Sequence, residues 1–167
     1  VRLVGSEMCI RDRYNTFMID LKQIHEMWAV DCQIAQTKLD ETSRVTPKLH
    51  AKYLELLSTT KLQLKRAEFA QKTLLKDKWL YYNGKMSQEE LQEKGWDPDP
   101  FNGLKVLKGE MEHYYDSDPE IQKSEEKIQY YKTVIETLTE IINNLNWRHQ
   151  TIGCLLYTSD AADDHHR

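Results

Sequence analysis

The residues of this chain best equipped for chemistry are lysines, and the chemistry they offer is the binding of a polyanion. Lys61, Lys65, Lys72 and Lys76 are spaced so that, at about 100° per helical residue, their side chains fall within roughly 60° of one another. Trp79 projects in nearly the same direction, and Phe69 lies at the edge of the stripe. Leu49, Tyr53, Leu56, Leu57, Leu64, Ala67, Leu74 and Tyr81 take the far side, over about 120°, an ordinary width for a buried face. Ammonium groups that track a phosphate backbone, beside aromatic planes on which unpaired bases stack, are the ingredients of sequence-tolerant single-strand binding. The same pattern also suits a solvated helix face with Trp79 packed on a neighbour, and spacing alone leaves both readings open. A duplex reader is not indicated, because no helix-turn-helix, zinc-finger or arginine-rich element occurs.

Catalysis finds no comparable constellation. There is no nucleophile elbow, phosphate-binding loop, dinucleotide fingerprint or metal-spaced His/Cys cluster. His25, His50, His113 and His149 stand singly, and paired acids such as Glu125-Glu126 or Glu110 and Glu112 read as a solvated helical face. The expectation is therefore a non-enzyme without cofactor or metal. The alternative to nucleic-acid binding is a structural coiled-coil scaffold or assembly protein.

Both ends of the chain read as something other than protein evolution. Met8-Cys9-Ile10-Arg11-Asp12-Arg13 is what one frame of a common transposase-type sequencing adapter encodes, and its reverse complement gives the run Cys154-Leu155-Leu156-Tyr157-Thr158-Ser159. Residues 1–13 and 153–167 are accordingly expected to be adapter-derived. Residues 14–152 then form one helical domain for DNA binding and oligomerisation, with Met18 as a candidate start. Two of the three cysteines fall in the flanks, leaving Cys32 alone and no disulfide framework, as expected in a reducing cytoplasm. No apolar run is long enough to span a membrane, so no membrane partner is expected.

A mean hydropathy of -0.73 is polar for a compact globule and fits long helices with one buried stripe each. The formal net charge is -4, which by itself points away from nucleic acid, but the charge is segregated. Between Lys48 and Lys85 nine basic residues face three acids, whereas residues 86–153 carry seven basic and fourteen acidic ones. A mildly acidic protein can in this way present a local anion-binding face.

These residues must be positioned by helices. Apolar spacing predicts a short amphipathic helix from Ile19 to about Ala35, then a polar stretch over Thr37–Thr46. Thr46-Pro47 reads as a cap with proline at the first helical position, opening one long helix over about 47–83 that Asn83-Gly84 closes. Ser87 to Glu90 has the capping-box pattern of a short helix ending near Gly95, and a second short helix is expected from about Leu104 to Tyr115. Asp118-Pro119 starts another long helix, over about 119–151, whose isoleucines at Ile121, Ile128, Ile135 and Ile142 alternate with Tyr131, Leu138, Leu145 and Ile152 in heptad register. The fold class is all-α, with Ile128, Tyr131, Ile135, Leu138, Ile142 and Leu145 as a candidate self-association seam. Packing against helix 47–83 is the competing use of that stripe.

The run Leu75-Lys76-Asp77-Lys78-Trp79-Leu80-Tyr81-Tyr82-Asn83-Gly84 resembles the Leu-Lys-x-Arg-x-x-Tyr-Tyr-x-Gly signature of the UvsY family of recombination mediators from T-even-type phages. The likeness extends upstream through His50, Lys52, Tyr53 and Leu54 and on through the C-terminal helix. It implies a protein that binds single-stranded DNA, contacts a phage recombinase and a phage single-strand-binding protein, and helps the first replace the second. It implies a ring-shaped homo-oligomer held by C-terminal helices, acting in the cytoplasm of an infected bacterial host. By position, Lys76 and Lys78 correspond to the family's basic pair. The lysine at Lys78 keeps the charge of an arginine but loses its planar bidentate geometry. The candidate nucleic-acid-binding set is thus Lys61, Lys65, Lys72, Lys76, Lys78 and Trp79.

Overall fold

The computed structural model describes residues 20–104, 106–107 and 109–164; the N-terminal segment read as adapter lies outside them. Among the described residues the regular structure is entirely helical: α1 (Leu21–Asp31), a 3-10 turn (Gln36–Lys38), α2 (Leu39–Tyr82), α3 (Gln88–Lys94), α4 (Met111–Ser117) and α5 (Pro119–Asp164). No helix among these residues is long and apolar enough to cross a membrane. The described residues divide into two compact units, one drawn from the stretches up to residue 52 and from residue 141 onward, the other from residues 53–140.

In the first unit α1 turns Ile24 inward, to 1% exposure, with Met27 and Trp28 half-buried beside it. Its open carbonyl end needs donors, because the last turn of any helix leaves carbonyls without partners. The buried Arg148 of α5 supplies two, donating to the carbonyl oxygens of Asp31 at 2.7 Å and Gln33 at 2.8 Å. Lys52 of α2 closes on the Asp31 carboxylate at 2.6 Å. Among the described residues, Leu39 and Thr42 from the start of α2, and Ile141, Leu145 and Ile152 from α5, are also buried here.

The start of α2 departs from the expected one. The helix begins at Leu39, eight residues before Pro47, which sits inside it. An interior proline removes one backbone hydrogen bond and crowds the carbonyl four residues back, at a cost of about 3 kcal/mol. Burial of Leu39 and Thr42 offsets this, and the hydroxyls of Thr42 and Thr46 bond back to the carbonyls of Lys38 and Thr42 instead of capping a new helix. At the other end α5 continues past the expected stop near Thr151 to Asp164, since no proline follows to end it; Ile152 is its last buried side chain among those described.

The second unit is built on an antiparallel pair formed by α2 and α5. Glu68 feels the charge of Lys132, Gln71 shares a groove with Gln122, Gln129 and Lys132, and Lys78 meets Asp118, so positions descend along α2 as they ascend along α5. On α2 the inward residues follow a heptad spacing: Tyr53, Leu57, Thr60, Leu64, Ala67, Gln71, Leu74, Lys78 and Tyr81 are all buried or half-buried. On α5 the buried set in this unit is Ile121, Ile128, Tyr131, Val134 and Leu138.

This corrects the self-association seam. Of its six residues, Ile128, Tyr131, Leu138 and Leu145 are already buried within the chain, while Ile135 and Ile142 are only half-buried. The inward register steps through Val134 and Ile141 in place of those two isoleucines. A stripe wide enough to hold both choices leaves the partner helix to select between them.

Two Schellman-type ends shape the tip of this unit. The Lys85 amide reaches the Leu80 carbonyl and the Gly84 amide that of Tyr81, with Gly84 at φ +62°, a left-handed conformation that favours glycine. Helix α3 opens on the expected capping box, Ser87 with Glu90, and ends on Gly95 at φ +68°. The second short helix is α4, shorter than expected, because Leu104 and Leu107 stay exposed and give an earlier start no buried apolar face.

Candidate nucleic-acid interface

Helix α2 carries Lys61, Lys65, Lys72 and Lys76 as exposed side chains on one uninterrupted element, and Trp79 is 47% exposed beyond them. From Lys61 to Trp79 the stripe runs about 27 Å at 1.5 Å per residue. The structure bears out Phe69 at the edge of the stripe and adds Lys85, which spacing did not supply. Phe69 is 57% exposed with the Lys65 ammonium 5.6 Å from its ring centre, and Lys85, beyond the helix end, lies 4.5 Å over the ring of Trp79. Both exposed rings of this face, Phe69 and Trp79, therefore have a cation beside them.

Glu68 tempers the middle of the stripe. Lys65 donates to its carboxylate at 2.8 Å, and this hydrogen bond, against a smaller opposing effect of desolvation, holds Glu68 below the usual carboxylate range. The charges of Lys65, Lys132 and Lys72 add to the shift. Lys132, from α5, thus joins the same electrostatic field. No sequence signal on α2 could have pointed to it, since only the pairing of the two helices brings it there.

Lys78 is not part of this face. It is 4% exposed, and its ammonium lies 2.9 Å from the Asp118 carboxylate, 3.5 Å from Glu120 and 4.0 Å over the ring centre of Trp96. The Tyr82 hydroxyl also donates to Asp118, at 2.8 Å, and Trp96 donates to Glu120 at 2.9 Å. Asp118 meanwhile caps α5, accepting from the amides of Glu120 and Ile121. Burial pushes the Asp118 carboxyl up, but the Lys78 ammonium, the Tyr82 hydroxyl and those amides outweigh it and hold the group below its ordinary value. Burial and the bond to Asp118 push the Tyr82 phenol well above its own. The helical wheel contained the warning: counted from Lys61 at about 100° per residue, Lys78 falls between Leu64 and Ala67, in the middle of the apolar face.

Around this lock the rings of Tyr82, Phe101, Tyr114 and Tyr115 are clustered, with Tyr82 to Tyr115 at 5.1 Å and Phe101 to Tyr114 at 5.0 Å between centres. Lys94 of α3 pairs with Asp77 of α2. Among the described residues no group of three or more His, Cys, Asp or Glu is placed to hold a metal ion.

A family model described as "Recombination, repair and ssDNA binding protein UvsY" matches residues 27–155. The chain belongs to the UvsY family. Its fold agrees: the crystal structure of the recombination mediator protein UvsY of bacteriophage T4 is similar with a TM-score of 0.68 at 20% identity, over 89% of this chain and 99% of that one. No curated protein sequence matches. For this UvsY-family chain, single-stranded DNA is therefore the polyanion against which the α2 face is to be weighed.

Proposed function

We propose that this protein is a recombination mediator, which binds single-stranded DNA along the exposed face of α2 and promotes loading of a phage recombinase in place of the phage single-strand-binding protein. It would act in the cytoplasm of the infected bacterial host. The observation that carries the binding half is the exposure, on one helix, of Lys61, Lys65, Lys72 and Lys76 with the rings of Phe69 and Trp79 among them. Lysines contact phosphates, rings stack on bases, and neither reads sequence. The mediator half rests on the family and on the T4 relative, which is named a recombination mediator. A few lysines per copy bind weakly, and a homo-oligomeric ring would multiply them through effective concentration. Ile135 and Ile142, the half-buried members of the expected seam, are its available contacts.

The test is a titration of labelled oligodeoxythymidine at two salt concentrations, followed by recombinase assembly on strands coated with single-strand-binding protein. Tight, salt-sensitive binding and faster assembly are expected. No binding at high protein concentration would leave a helical scaffold, and binding without faster assembly would remove the mediator role alone.

A further inference from the structure

The proposed interface and the Lys78 lock share the last turns of α2 but face different ways. Lys76 and Trp79 are exposed, while Lys78 between them points inward to the first turn of α5. Its ammonium is closed by Asp118 and Glu120 and roofed by Trp96, so it has no route to a phosphate without breaking a buried ion pair. Asp118 is itself held by Tyr82, from the closing turn of α2, and by the α5 amides. The lock therefore fixes the rotation of the final α2 turns, and with it the direction of Lys76, Trp79 and the Lys85 that covers the Trp79 ring.

We propose that Lys78 is a positioning residue: clamped on the Asp118 cap, it aims the Lys76, Trp79 and Lys85 end of the interface and makes no contact with the polynucleotide. This rests on the single-strand-binding reading above, and wild-type titration is the control that separates the two. A lysine touching phosphate and a lysine aiming its neighbours differ in what salt does. Loss of a phosphate contact lowers the slope of log K against log salt by about 0.7. Loss of aim displaces the line and leaves its slope alone.

The experiment measures oligodeoxythymidine affinity, salt slope and active fraction for wild type, Lys76→Ala, Lys78→Met, Lys78→Arg and Asp118→Asn. Lys76→Ala should lower the slope. Lys78→Met and Asp118→Asn should each weaken binding about fivefold at unchanged slope and full active fraction, and Lys78→Arg should restore most of the affinity by keeping the charge on Asp118. Asp118→Asn removes no cation, so it decides the matter even if Lys78→Met does not fold. A lower slope in Lys78→Met, or unchanged affinity of the active fraction in Asp118→Asn, overturns the proposal. A wild type that fails to bind overturns the parent reading and this inference with it.

Discussion

At the scale of single residues, the informative contrast is between Lys76 and Lys78, two positions apart and equal in charge. One is solvated; the other sits where a hydrophobic side chain would be expected, and is tolerated because carboxylates, a phenol and an indole close around it. Removing one partner of such a pair leaves a buried charge, at a cost of about 3–5 kcal/mol. The carboxyl of Asp118 is held below its ordinary value, so its contribution to stability is complete above the unfolded pKa of about 3.9 and fades as pH falls through the lower folded value. The expected outcome is that wild type exceeds Asp118→Asn in thermal midpoint at neutral pH, and that the gap closes below about pH 4. A gap constant down to pH 2 would show that the Asp118 carboxyl titrates alike in the folded and unfolded chain, without the depression its partners impose.

At the scale of elements, the pairing of α2 and α5 decides which side of a broad stripe is core. Leu138 is fully buried and Ile135 half-buried, three positions before it. Leu138→Ala should lose about 2–5 kcal/mol of stability, as large-to-small core changes do, and Leu138→Asp should unfold the chain. Ile135→Asp should leave the helices folded, by far-UV circular dichroism, and shift sedimentation from oligomer to monomer. Persistence of the oligomer would place the contact between copies elsewhere. Helix α2 makes a related point: its first two turns exist despite Pro47, because what is buried before the proline outweighs the bond it removes.

At the scale of the whole molecule, a net charge of -4 means that affinity for DNA must come from where charges sit. Replacing Lys61 and Lys72 by glutamate cancels the charge of the four-lysine stripe without touching a buried residue. Binding of oligodeoxythymidine should fall by at least about tenfold, the equivalent of 1.4 kcal/mol, with thermal midpoint and helicity unchanged. Retained affinity would move the polynucleotide to another face.

Much of this protein is written locally. Helix ends at Asn83-Gly84, Ser87 and Asp118-Pro119 are set by capping groups and glycine within a few residues, and the lysine stripe of α2 follows from helical period alone. Periodicity also made the fold class legible, and the run from Leu75 to Gly84 made the family resemblance so. That Lys78 falls on the apolar side of α2 is readable from the helical wheel, but the partners that hold its charge there were not, because Asp118, Glu120 and Trp96 lie far along the chain from Lys78 and only the docking of α5 brings them together. The same docking chose Val134 and Ile141 over Ile135 and Ile142 and carried Lys132 into the field of Glu68. In each case short-range rules left near-degenerate options, and burial against a distant segment supplied the energy that separated them.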